Sequence, residues 1–313
     1  LHHARSDKTD MDVGIRPIAL DDEGISEACE QTFDLWHQGL DRARYEQRLR
    51  DSFARLPQEM RYVGVRDRTR ALAASARLLS LRLCVGGQPS DATGIAAVFV
   101  RPDLRGLGWG RGLIAGILAE SEQMGAGYAL LFSDIGRRYY ERMGFAAAPA
   151  LDWTAGVSAV PSRHELSLRQ AAPADIAQMI QVFNKRAERS VLSPVRTTSW
   201  WRHYRWWRRA APDLVLCDSG GDVGYATVRP DGETLRVFEW VAPGVEPDQV
   251  WATLRAEAIR RGCERLGGWL QPDRRQPWMS VVERAEGIPM VARTDGRAVQ
   301  IPDGAVFEEL DHF

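Results

Sequence analysis

The sequence predicts an α/β fold with mixed sheets, laid out as two tandem copies of one unit, the second degenerate. Three observations carry this. Apolar runs of strand length alternate with segments whose apolar residues recur at helical spacing. The strand-then-helix opening Ile15-Arg16-Pro17-Ile18-Ala19-Leu20-Asp21 is echoed at Leu166-Ser167-Leu168-Arg169-Gln170-Ala171-Ala172-Pro173-Ala174-Asp175. The length of 313 residues suits two domains.

The first copy starts with a strand at 13–17, and Asp21-Asp22 mark a helix start. Phe33, Leu35, Trp36 and Leu40 give that helix an apolar face. A second helix, roughly Arg42 to Leu56, carries Tyr45, Leu49 and Phe53 as a stripe, with its arginines facing water. Strands follow at Tyr62 to Arg66 and Ala71 to Val85, then a turn at Gly86-Gly87-Gln88-Pro89-Ser90-Asp91. The apolar run Gly94-Ile95-Ala96-Ala97-Val98-Phe99-Val100 reads as a buried strand. It feeds Arg101-Pro102-Asp103-Leu104-Arg105-Gly106-Leu107-Gly108-Trp109-Gly110-Arg111-Gly112, after which Leu113, Ile114, Ile117 and Leu118 recur at helical spacing. Tyr128-Ala129-Leu130-Leu131-Phe132 is a further buried strand. Ser133-Asp134 and Tyr140-Glu141-Arg142-Met143-Gly144-Phe145 come after it.

A glycine-rich turn that opens a helix can hold a pyrophosphate. The first helical turn has backbone N–H groups without intrahelical partners, and the helix dipole adds positive charge there. Gly106, Gly108, Gly110 and Gly112 keep Cβ atoms away from the anion, and Arg105 and Arg111 add charge that pairs with phosphate oxygens. There is no GxxxxGK[ST], and the glycine spacing is not the GxGxxG of a dinucleotide fold.

The string V-x-V-x-P-x-x-R-G-x-G-x-G resembles the acetyl-CoA loop of the GNAT superfamily of N-acetyltransferases, with Arg105, Gly108 and Gly110 on its R-x-x-G-x-G signature. The downstream Tyr140-Glu141-Arg142-Met143-Gly144-Phe145 is similar to the Y-E-x-x-G-F element of the same family. The resemblance covers residues 13 to 150 and implies a cofactor site made by Val98, Phe99, Val100, Arg105, Gly106, Leu107, Gly108, Trp109, Gly110, Arg111, Ser133 and Asp134. It implies that the fourth strand splays from the fifth, so that the backbone of Val98 and Val100 receives pantetheine as an added strand would. Phe99 either contacts the acetyl group or is buried on the opposite face. Ser133 and Asp134 line the site or simply shape the turn. Tyr140 would be the general acid that protonates the departing thiolate, since a phenol of pKa about 10 stays protonated near neutral pH; Tyr139 is the alternative donor.

The second copy runs through a helix with Ile176, Met179, Ile180 and Phe183, and strands at Leu214 to Asp218, Val223 to Arg229 and Leu235 to Val241. A helix from Pro247 to Arg261 and a strand near Gly268 to Leu270 complete it. After Val241-Ala242 comes Pro243-Gly244-Val245-Glu246-Pro247-Asp248, where Glu246 and Asp248 would repel a pyrophosphate; this copy is expected to bind no CoA. The tandem, with Arg196-Thr197-Thr198-Ser199-Trp200-Trp201 and Val237-Phe238-Glu239-Trp240-Val241-Ala242, resembles the enhanced-intracellular-survival type of acetyltransferase. That type carries a third, sterol-carrier-like domain, here expected to be missing or reduced to a tail. The expected division is a leader at 1–12, disordered or left over from cloning, and a catalytic domain at 13–154. A linker at 155–163, the degenerate domain at 164–272 and a tail at 273–313 follow. In the resembling type the terminal carboxylate helps to deprotonate the amine, a role that would fall on Phe313. The alternative is that Val306, Phe307, Leu310 and Phe313 dock the tail on the second sheet.

Composition bounds the function. Hydrophobic residues are 44%, charged residues 27% and the net charge is −1, which favours neither nucleic acid nor anionic membrane. No apolar run has the length of a membrane span. Cys29, Cys84, Cys217 and Cys263 are scattered without metal-ligand spacing, and His37, His164, His203 and His312 are isolated. A cytoplasmic protein with acetyl-CoA as co-substrate, no metal and a small-molecule or peptide amine as acceptor is expected; self-association is left open. Trp200, Trp201, Trp206 and Trp207, interleaved with Arg202, Arg205, Arg208 and Arg209, are read as packing aromatics with solvated arginines in preference to an RNA surface. The rival to an acetyltransferase is a non-catalytic acyl-CoA-binding regulatory module.

Overall fold

The computed structural model describes residues 16–162, 166–207 and 213–313. Val13 to Ile15, His164, Glu165, Arg208 and Arg209 lie outside the described residues. The chain opens with β1 (Ile18–Ala19), α1 (Asp22–Trp36) and α2 (Arg42–Arg55). Both helices start on an aspartate: Asp21 accepts from the Gly24 N–H and Asp41 from the Arg44 N–H, each at 2.9 Å. Then come β2 (Met60–Arg66), β3 (Leu72–Val85), β4 (Gln88–Val100), α3 (Trp109–Gln123), β5 (Tyr128–Ser133), α4 (Arg138–Glu141), β6 (Ala146–Ala147) and β7 (Leu151–Gly156). The second half contains β8 (Ser167–Gln170), α5 (Ile176–Arg189), β9 (Leu192–Val195), α6 (Thr198–Trp207), β10 (Asp213–Asp218), β11 (Gly221–Asp231) and β12 (Thr234–Val241). It ends with α7 (Pro247–Arg260), β13 (Arg265–Leu270), β14 (Ser280–Glu283) and β15 (Ile288–Arg293). Among the described residues no helix is long and apolar enough to cross a membrane.

Two mixed sheets result, and each half lends a strand to the other. The first sheet has the order β1-β2-β3-β4-β5-β15-β6, with β9 also on β3; the second has the order β14-β7-β13-β12-β11-β10-β8. Thus β7, from the end of the first half, lies between β13 and β14. In return β15 lies between β5 and β6, with Met290 opposite Leu131 on one side and Ala147 on the other. The expected domain limits are corrected accordingly. The boundary at 154/155 cuts through β7, the linker at 155–163 begins as sheet, and the region 273–313 contributes an interior strand to the first sheet. Every residue from Ile288 to Ala292 is buried, as a strand covered on both faces requires.

Helix α3 packs Leu113, Ile114 and Ile117 on one face of the first sheet, against Val63, Ala76, Ile95 and Met290. Helices α1 and α2 cover the other face through Ala28, Cys29 and Leu49, against Tyr62 and Leu72. In the second half, Trp153 of β7 meets Trp251 of α7 edge to face at 5.0 Å, so a lent strand anchors that core. Trp201 of α6 is buried and packs edge to face on Tyr225 at 5.7 Å. Trp206 and Trp207 sit under Arg55 and Arg48 instead.

The last residues form a strap between the halves. Glu308 pairs with Arg186 at 2.6 Å and Arg274 at 3.3 Å, Glu309 with Arg236 at 2.8 Å, and Asp311 with Arg196 at 2.8 Å. Arg196 also makes a two-pronged contact with Glu239, both bonds 2.7 Å. All these arginines belong to the second half, whereas Phe307 and Phe313 pack against Phe132 of β5.

Candidate active site

The loop after β4 is a tight 3-10 turn, Pro102–Leu104, followed by backbone that only glycine adopts freely. Gly106 has φ 78° and Gly108, which caps α3, has φ 92°. The first bond of α3 runs from the Gly112 N–H to the Gly108 carbonyl at 2.9 Å, so the N–H groups of Trp109, Gly110 and Arg111 precede the helical ladder. A methyl group at Gly110 would stand 2.5 Å from the Tyr139 hydroxyl and 3.1 Å from Val100 Cγ2. Arg105 donates from Nε to the Val100 carbonyl at 3.2 Å, tying the loop to the strand end. Leu107 is exposed and does not line the cavity described below.

Strands β4 and β5 pair in parallel only from Ala92↔Tyr128 to Ile95↔Leu131. Beyond Ile95 they part, which leaves the β5 side of Ala96 to Val100 without ladder partners from β5. A register shift opposite Ser75 to Arg77, with Ala97 at φ 49°, marks the bulge that bends β4 away. Into this opening face Val98, Phe99 and Val100 from β4, Tyr140 from α4 and His312 with Phe313 from the strap. They line a cavity of about 1220 Å³ together with Arg105, Gly106, Gly108, Trp109, Gly110, Arg111 and Asp134. Phe313 has its slot because position 94 lacks a side chain: a methyl on Gly94 would lie 2.8 Å from Phe313 Cζ.

Tyr140 is 7% exposed and its ring meets Tyr139 edge to face at 5.0 Å. Burial drives its phenol pKa up, with Tyr139 and Asp134 adding to the rise, so the proton is held firmly. Tyr139 is half exposed and rests over Gly110. Asp134 accepts from the Gly287 N–H at 2.9 Å and lies 3.9 Å from His312 Nε2. Ser133, between the lining residues Phe132 and Asp134, donates its hydroxyl to the Gly136 carbonyl at 2.6 Å and closes the turn after β5. Sequence reasoning missed the opposite wall, made by Trp36, Tyr45, Arg48, Tyr62, Arg77 and Trp207. The signal for it was present in one place, a charged residue, Arg77, in the mainly apolar run 72–79. In the second copy a smaller cavity of about 460 Å³ lies between β8 and α7. Glu246 and Asp248 are exposed at the α7 N-terminus.

The sequence of residues 24–148 matches the family model of the Acetyltransferase (GNAT) domain. The first half of the chain carries a GNAT domain. No curated protein matches the chain. Among solved structures it is similar to a conserved protein of unknown function from Enterococcus faecalis, a probable N-acyltransferase. That match has 15% identity and a TM-score of 0.73, over 90% of this chain and 73% of the other. It is also similar to Eis1 from Mycobacterium abscessus, with 14% identity, a TM-score of 0.57, and coverage of 82% and 72%. A tandem GNAT protein from the clavulanic acid biosynthesis pathway matches with 14% identity and a TM-score of 0.53, over 89% of this chain and 98% of that one. The fold of both halves is therefore a tandem GNAT fold, and the glycine loop, the splayed strands and Tyr140 fall inside the matched GNAT segment.

Proposed function

We propose that the protein is an acetyl-CoA-dependent N-acetyltransferase that transfers the acetyl group directly to a primary amine. One observation carries this reading: a single cavity joins the helix-start loop, the unpaired end of β4, Tyr140 and residues 312–313. Phosphate groups of the co-substrate would meet the free N–H groups at the start of α3 and the charges of Arg105 and Arg111. The backbone of Val98 and Val100 would hold the pantetheine arm as an added strand. The amine nitrogen then attacks the thioester carbonyl; the C–N bond forms, the C–S bond breaks and Tyr140 gives its proton to the sulfur. Burial of Tyr140 suits it to this task, because the phenol arrives protonated and the buried thiolate is the stronger base to receive it. The amine's proton leaves towards residues 312–313 of the strap, where the His312 imidazole lies beside Asp134. The second copy, with Glu246 and Asp248 at its helix start, holds no CoA in this reading.

The test is amine-dependent thiol release from acetyl-CoA by the full chain, with acetyl-CoA binding followed by calorimetry. Binding with thiol release across an amine panel supports the enzyme. Binding without release for any amine favours a regulatory acyl-CoA module. Gly108→Val should weaken acetyl-CoA binding by more than tenfold, because a β-branched residue resists the left-handed backbone found there. Undiminished affinity in that variant would remove the loop from the site.

A further inference from the structure

The wall of the cavity facing α1 and α2 has an electrostatic character that the transfer reaction itself does not require. Arg77 lies in mid-strand on β3, opposite Tyr62 on β2 and Ala96 on β4. Tyr62 packs against Leu49 of α2, so this wall belongs to the sheet face opposite α3, whose first turn forms the phosphate loop. Arg77 is half-buried and lines the cavity, and among the described residues its Nε is sealed from water with no hydrogen-bond acceptor. Tyr62, Tyr45 and Arg48 act on its charge, and His203 of α6 also feels it. Burial pushes both tyrosines above their ordinary pKa, so neither is an anion at neutral pH. Arg48 donates to the Gln38 side chain and the Trp207 carbonyl, and lies over the Trp207 ring. Among the described residues that line the cavity, five are arginines, and Asp134 is the one carboxylate side chain. Asp134 follows the end of β5 and accepts from the Gly287 N–H.

A cation taken out of water without a counter-ion is costly, and the cost is removed when an anion arrives with the ligand. We propose that the acceptor is an amine that also carries a carboxylate, and that Arg77 receives this carboxylate while the amine points to the β4 opening. The ring of Trp207, 5.2 Å from the Arg77 guanidinium, flanks the same place. This proposal rests on the acetyl-transfer reading for the role of the amine, and on Arg77 alone for the carboxylate.

The experiment measures binding to the full chain saturated with CoA, using pairs that differ only by the carboxylate: ornithine against putrescine, and phenylalanine against phenethylamine. The carboxylate-bearing member should bind ten- to a hundredfold more tightly, the range expected for a charge-assisted pair. Arg77→Met should abolish that advantage, Arg77→Lys should keep part of it, and CoA affinity should be unchanged in both. Equal or tighter binding of the decarboxylated amines, no measurable binding of any carboxylate member, or an advantage that survives in Arg77→Met overturns the proposal. Because the readout is binding, a failure of thiol release would count against acetyl transfer without deciding the carboxylate preference.

Discussion

At the scale of single residues, the proposed transfer turns on which of two adjacent phenols would give the proton. Tyr140 is buried at the cavity, whereas Tyr139 covers Gly110 and reaches solvent. Tyr140→Phe should lower kcat by about ten- to a thousandfold while acetyl-CoA affinity barely changes, the signature of a lost general acid. Tyr139→Phe should act mainly on binding, through its contact with the loop. The reverse pattern would move the acid to Tyr139. These residues were legible in the sequence because the loop and the tyrosine element are local, each set by spacing within a dozen positions. Arg77, Tyr45 and Trp207 were not, because three elements far apart in sequence bring them together. For Ser133 the sequence left two readings open, a cofactor contact or turn chemistry. A serine ending a strand next to a cavity looks like a ligand contact, but the Gly136 carbonyl 2.6 Å away takes its hydroxyl.

At the scale of elements, α6 illustrates how a conspicuous pattern resolves into packing with a consequence for pH. Its Trp201 packs with Phe183 of α5 and Tyr225 of β11, and His203 is turned inward onto α2, 3.4 Å from Ser52. Burial, with Arg77 and Arg55 adding, lowers the His203 pKa from 6.5 to about 4. At pH 7 the imidazole is largely neutral in both the folded and unfolded chain, so its protonation takes little from stability there. As pH falls below 6.5 the unfolded chain takes up a proton that the folded chain refuses until about pH 4, so folded stability is lost through that window. Against a His203→Gln variant, the wild type should lose up to about 3 kcal/mol of relative stability between pH 7 and pH 4. Comparison with the variant matters because Asp311, raised to about 6 by burial, drives stability the other way as pH rises. A pH-independent gap in denaturant melts would place His203 in solvent. Element type was readable from periodicity in this region, since Trp201 and Tyr204 fall on one helical face. The second sheet was also the partner expected for the tryptophans, and for Trp201 the residues that supply it are Tyr225 of β11 and Phe238 of β12.

At the scale of the whole molecule, the exchange of β7 and β15 makes the two halves one folding unit. Reading along the chain suggested two successive domains and a tail, because strand patterns reveal burial but not which neighbour supplies it. The run Ile288 to Ala292 was apolar enough to be an interior strand, yet its partners β5 and β6 precede it by more than a hundred residues. Without β15, β5 would present an open edge beside the helix that carries Tyr140, and β6 would have no strand to pair with. Without β7, β14 would lose its partner and the second core would lose Trp153. The carboxylates of Glu308, Glu309 and Asp311 add three ion-paired anchors between strap and second half. Cutting the connection between β7 and β8, at a protease site inserted near Ser158, should therefore leave a complex that holds together and keeps its thermal midpoint within a few degrees. Produced alone, residues 1–160 should fail to give a monomeric folded species, and adding residues 161–313 should restore both folding and acetyl-CoA binding. Dissociation of the cut chain under native conditions, or a folded, CoA-binding monomer from 1–160 alone, would show that the exchanged strands are dispensable and that the halves are independent after all.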